Sequence, residues 1–150
     1  MTSQHLIADT VKVRVIFLVL NGVELLDLAG PAQVFSMAAS LGAPYSLHFC
    51  ANNLGVRSAQ GLFLGQLEPL PSVCALDVVM VAGVALDQLN QPLLDSDTRC
   101  WLINAYTNGT RIASICTGAV VLGEAGLLDG RRCTTHWFII EDLQQRYPMA

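Results

Sequence analysis

RIASICTGAVVLGEAG, residues Arg111–Gly126, is the stretch that decides how this chain folds. Arg111–Ile115 is short and mostly apolar, the start of a buried strand. The side chains then shrink through Cys116, Thr117 and Gly118, and an apolar helical run follows until Gly126. A strand passing through small residues straight into a helix is the repeating unit of a parallel α/β sheet. Ser114-x-Cys116-x-Gly118 also has the layout of a nucleophile elbow, with serine in place of the first glycine. Small residues two before and two after the central position let the strand turn sharply. The thiol then projects toward a helix N-terminus, whose dipole and free N–H groups favour thiolate. A free cysteine is equally at home as a small buried hydrophobe. Spacing alone leaves both roles open.

Outward from this stretch the pattern repeats. Val11–Leu20, VKVRVIFLVL, is β-branched and nearly continuous in apolar residues, as expected of a strand buried on both faces. After Asn21-Gly22 the chain turns into a helix beginning near Pro31, with Val34, Met37, Ala38 and Leu41 at helical spacing and Gly42 as its stop. Tyr45–Cys50 reads as a second strand, and Val56–Leu67 as short extended pieces bent at Gly61. Leu76–Gly83 is a further core strand. Leu94–Gly109 is a helix with Asp95 or Ser96 as cap. Phe138–Tyr147 is a last amphipathic helix. Residues 1–10 read as a loose terminus and 11–150 as one domain, consistent with the length of 150 residues. Alternation of this kind predicts a parallel α/β sheet with helices on both faces.

The composition is 53% hydrophobic and 13% charged, against about 25% charged in an ordinary domain. So few charges imply elements buried on both faces, or a surface covered by a partner; a homodimer is the expectation. A net charge of −4 argues against nucleic-acid binding by this segment itself, which needs clustered Lys and Arg. No run of 18 apolar residues exists to span a membrane. Five cysteines, Cys50, Cys74, Cys100, Cys116 and Cys133, form no CxxC pair and no regular spacing. Reduced thiols in a cytoplasmic protein are the expectation. There is no Walker motif, no G-x-G-x-x-G and no metal cluster, so neither cofactor nor metal is expected.

Cys116 has two possible companions. His136 follows it by 20 positions; a Cys–His pair generates thiolate at neutral pH and later returns the proton. A histidine beside Trp137 can also be ordinary packing. Asp27 sits in LLDLAGP, an apolar setting for a charge. It reads either as a helix cap or as a carboxyl that hydrogen-bonds the thiolate once protonated. Glu24 is the competing, more solvated acid. Gly83 could present backbone N–H groups to a developing oxyanion, or be a plain turn glycine.

ELLDLAGPAQVF, VRSAQGLFL and above all RIASICTGAVVLGEAGLLDGRRCTTHW resemble the ThiJ/PfpI family, within the class I glutamine amidotransferase-like superfamily. The similarity runs over nearly the whole chain from about Val13. It implies a flavodoxin-like fold whose pocket holds Asp27 (four before Pro31), Cys116 and His136, with Gly83, Val84, Thr117 and Gly118 lining the ligand site. Two branches share these words. One is the sensor-like amino-terminal domain of AraC-type transcription regulators, to which NGTRIASICTGAVVLGEAGLLDGRRCTTHW is the more similar; a helix-turn-helix module follows there and would contact DNA. The other comprises isocyanide hydratases, whose cysteine attacks the isocyanide carbon. Departures bear on the choice. Ala82-Gly83-Val84 stands where the family has two glycines after a proline, and a β-branched residue at 84 disfavours an oxyanion site. Cys133 replaces a small apolar residue. The family domain continues with a further strand and helix, so a chain ending QRYPMA reads as shortened. The expectation is a small-molecule sensor, with a cysteine-dependent hydratase or hydrolase as the alternative.

Overall fold

The computed structural model describes residues 11–53 and 55–150. The expected loose terminus, 1–10, lies outside the described residues. Strand β1 (Val13–Leu18) is the centre of the molecule, and its side chains from Val15 to Leu18 are fully buried. This is the burial on both faces that its unbroken apolar run implies. Helix α1 (Leu25–Ser40) leads to β2 (Tyr45–Cys50), then to a small antiparallel hairpin of β3 (Gly55–Arg57) and β4 (Phe63–Gly65). Next come β5 (Val78–Val81), a 3-10 turn at Leu86–Asn90, α2 (Ser96–Thr107) and β6 (Arg111–Ser114). The chain continues through α3 (Gly118–Glu124), a 3-10 turn at Trp137–Ile139 and α4 (Ile140–Arg146).

The main sheet is wholly parallel with the order β2-β1-β5-β6. Strand alternation divides the core in two. Ile16, Leu18, Val79 and Val81 pack against Leu102 of α2, residues of α3 and Leu143 of α4. Val15, Phe17 and Val19 pack with Leu28, Ala32 and Phe35 of α1 on the opposite face. A parallel sheet with helices on both faces is therefore observed. Its order reverses between β1 and β5, and open α/β sheets form their binding crevice at the carboxyl ends of strands flanking such a reversal.

Two local readings change. First, α1 begins at Leu25 rather than near Pro31, which sits inside the helix. The side chain of Gln60 starts the helix from outside: its Oε1 accepts from the Leu25 N–H at 3.2 Å. Pro31 offers no N–H to the carbonyl four residues back, which belongs to Asp27. Second, Val34, Met37 and Leu41, the stripe that signals the helix, face solvent at 65%, 55% and 85% exposure. A competing stripe, Leu28, Ala32 and Phe35, takes the sheet. The helix is apolar on two sides.

Candidate functional site

The carboxyl ends of three strands supply the site. The loop after β1 leads into the first turn of α1 and Asp27; β5 runs out to Gly83 and Val84; β6 ends in the turn carrying Cys116 and Thr117. Cys116 has a φ of 55°, in the left-handed region that L-residues rarely adopt. The bonds on either side hold it there: Ile115 N–H donates to the Val81 carbonyl at 3.0 Å, and Gly118 N–H to Ile115 at 2.9 Å. Thr135 Oγ1 adds a bond to the Cys116 carbonyl at 3.0 Å.

Gly83 makes the convergence possible. A Cβ on it would run into the Asp27 carboxylate and lie 2.9 Å from Thr117 Oγ1 and 3.1 Å from Cys116 Cβ. Asp27 and the adjacent pair Cys116–Thr117, far apart in sequence, thus meet around the side chain that Gly83 lacks. The Gly83 carbonyl also accepts from Glu24 N–H at 2.9 Å, tying β5 to the start of α1. Among the described residues, Asp27 Oδ2 is buried and has no geometric hydrogen-bond partner. A buried acceptor left open in this way costs about 1–3 kcal/mol, a cost that a ligand donor can recover.

Thr117 is 2% exposed and its hydroxyl is fully used: it donates to the Val84 carbonyl at 2.7 Å and accepts from Val84 N–H at 2.8 Å. The Val84 amide is therefore bonded within the protein, and its side chain lies in the core. Gly118 is buried because a Cβ there would strike the Val81 carbonyl, so glycine lets α3 sit directly on β5.

Burial pushes the Cys116 thiol above the usual thiol range. The adjoining Asp27 carboxylate and the charge of Glu24 push in the same direction, and only the Thr117 amide pulls back. The preference for thiolate that a helix N-terminus would confer is thus overridden; α3 is short, and two carboxylates stand nearby. His136 stands on the neighbouring segment, one residue from Thr135. Its Nδ1 accepts from Phe138 N–H at 3.3 Å, and its ring lies against Trp137 at 5.5 Å between centroids. Among the described residues, no hydrogen bond joins His136 to Cys116. Two contributors escape a reading of the sequence. Thr135 is one. The other is Gln60, whose Nε2 holds Glu24 while its Oε1 holds the helix start. Both act through contacts distant in sequence, and no local motif announces them.

A model of the DJ-1/PfpI family matches residues 13–148. The chain belongs to that family. Among curated relatives it is 42% identical over 138 residues to an uncharacterised protein in the cpoL 5′ region of Streptomyces lividans, covering 90% of this chain and 95% of that protein. It is 36% identical over 137 residues to the HTH-type transcriptional regulator CdhR of Pseudomonas aeruginosa, covering 88% of this chain and 39% of the regulator. It is 34% identical over 122 residues to the isonitrile hydratase of Pseudomonas putida, covering 81% of this chain and 51% of the hydratase. The chain thus spans about half the hydratase or less than half the regulator. Among solved structures it resembles an AraC family transcriptional regulator from Pseudomonas putida, with a TM-score of 0.74, 25% identity, and coverage of 91% of this chain and 74% of that one. Among the described residues of this DJ-1/PfpI domain, no helix is long and apolar enough to cross a membrane.

Proposed function

We propose that this domain is the ligand-sensing part of an AraC-type transcription regulator. A small molecule binds beside Cys116 at the carboxyl ends of β1, β5 and β6, and DNA is contacted through a helix-turn-helix module outside these 150 residues. The observation that carries the reading is the setting of the thiol. It is half-buried, faces the Asp27 carboxylate, and has no hydrogen bond to His136, so the arrangement favours an uncharged thiol and an open carboxylate acceptor. Such a pair suits a ligand that donates to Asp27 more than one awaiting thiolate attack. The likeness to CdhR and to the AraC family structure points the same way. Ligand binding would act by favouring one arrangement of a homodimer over another, which the attached module reads. Five free cysteines suit the reducing cytoplasm.

A second reading, hydration of an isonitrile by Cys116, is favoured by the 34% identity to the hydratase and by the strained φ at the thiol. In it Cys116 bonds the isonitrile carbon, Asp27 handles the proton, and water releases the formamide. One experiment separates the two. The purified domain is incubated with cyclohexyl isonitrile and the formamide measured, alongside a thermal-shift screen of small metabolites. The sensor reading expects a metabolite that raises Tm and is recovered unchanged, with no formamide above buffer. Formamide production that vanishes in Cys116→Ala overturns it in favour of the hydratase.

A further inference from the structure

A second constellation lies on β2, on the face of the sheet that carries Ile16 and Cys50, away from the Cys116 turn. Ser46 and His48 are two residues apart on that strand, so their side chains share one face. His48 Nε2 lies 3.3 Å from Ser46 Oγ, and His48 Nδ1 lies 3.2 Å from Glu68 Oε2. The backbone sets this spacing. Glu68 N–H donates to the Phe49 carbonyl at 2.8 Å, and the Glu68 carbonyl accepts from Ala51 N–H at 3.0 Å, which fixes Glu68 along the outer edge of β2. The sheet register puts Arg14 of β1 directly beside Ser46. Its Nε and Nη2 are held by the Asp77 carboxylate and the Ser72 carbonyl, while Nη1 donates no hydrogen bond among the described residues. The side chains of His48, Glu68 and Arg14 are 30%, 51% and 34% exposed, so a small molecule can reach them.

We propose that Ser46, His48 and Glu68 form an acyl-transfer site, separate from Cys116, that hydrolyses short-chain esters. A serine hydroxyl on Nε2 and a carboxylate on Nδ1 is the connectivity by which an imidazole takes a serine proton, and it is recognised by geometry rather than by place in a sequence. Ser46 Oγ bonds the ester carbonyl carbon as its proton passes to His48 Nε2. The alcohol then leaves with that proton, and the acyl group stays on Oγ. Water attacks the acyl carbon while giving a proton to His48; the bond to Oγ breaks, the acid departs, and His48 returns the proton to Ser46. Glu68 is a positioning residue, which accepts from Nδ1 and so leaves Nε2 as the base. The Arg14 guanidinium beside Ser46 offers a cationic donor to the charge that develops on the carbonyl oxygen. Side chains this open grip a long acyl chain poorly, which sets the substrate class.

The test treats the 150-residue chain with a fluorophosphonate, which phosphonylates an activated serine with loss of fluoride, and separately with p-nitrophenyl acetate. Tandem mass spectrometry assigns each adduct to a residue, and nitrophenolate release gives the turnover. Ser46 is expected to be labelled well ahead of Ser40, a serine on α1 whose hydroxyl bonds the Met37 carbonyl instead of a base. His48→Gln should slow labelling of Ser46 about a hundredfold, the scale of general-base catalysis. Glu68→Gln should lower kcat for the acetate about tenfold at unchanged KM, the split expected of a group that orients the base without touching substrate. Both side chains are partly exposed, so both variants should melt as the wild type does, which a thermal scan checks. Labelling of Ser46 no faster than of Ser40, or equal labelling in wild type and His48→Gln, overturns the proposal. So does acetate turnover at the wild-type rate in Ser46→Ala.

Discussion

A φ of 55° at Cys116 and a carboxylate facing its thiol have opposite chemical consequences. The turn lifts the side chain out of the strand and presents it at the sheet end. The carboxylate then discourages the ionisation that would make it reactive. Alkylation by iodoacetamide should therefore be slow at neutral pH and accelerate only above the free-thiol value of about 8.5. Asp27→Asn removes a negative charge that raises the thiol, so its rate profile should move to lower pH, and at pH 7 the variant should react faster than the wild type. A pH–rate series followed by mass spectrometry of the Cys116 peptide decides this; an unmoved profile would mean that Asp27 does not govern the thiol. Gly83→Ala tests the same geometry sterically. The new methyl must displace Asp27 or Thr117, and the expected loss is about 1–3 kcal/mol in urea denaturation. Cys116, Thr117 and Gly118 announce themselves by sequence spacing, and Asp27 by its apolar surroundings. Nothing local to Ala82-Gly83-Val84 reveals that Asp27, Thr117 and Cys116 all close on the space above Gly83. That convergence belongs to the tertiary fold.

Among the elements, β1 and β5 are the most legible strands, because burial leaves a nearly unbroken apolar, β-branched signature in them. The start of α1 is not legible, for a physical reason. Its first N–H is satisfied by a glutamine 35 residues away, and Pro31 reads as an entry signal although the helix is already under way. Nor does a helix apolar on two sides reveal which stripe meets the sheet. Sheet contacts also set the pH response. Cys50, at the end of β2, is fully buried, and burial pushes its thiol up to about 12 from an ordinary 9.0. A thiol raised in the folded state contributes stability that is fully present below the unfolded value, near 9, and is lost as pH rises toward 12. Denaturation midpoints should fall across that window, and the fall should be shallower in Cys50→Ala than in the wild type. Parallel slopes would mean that the Cys50 thiol is not what the alkaline side titrates.

On the scale of the whole molecule, the low charge content has to be reconciled with what the sheet leaves uncovered. Leu26, Val34, Met37 and Leu41 lie within one stripe along α1, and all four face solvent. The stripe is on the side of the helix opposite to Leu28, Ala32 and Phe35, so covering it would disturb neither the core nor the Cys116 site. A two-fold axis beside α1 would set this stripe against its own copy, the isologous arrangement most soluble dimers use. Sedimentation should then show a dimer. Met37→Glu places two carboxylates near that axis and should yield monomer, with stability of the fold changed by no more than about 0.5 kcal/mol because the side chain leaves no core cavity. Ser40→Glu, on the same helix but outside the stripe, is the control that should remain dimeric. If Met37→Glu and Val34→Glu both sediment as the wild type does, α1 is not the dimer contact. A sensor built on this domain would then need another face to carry its signal between subunits.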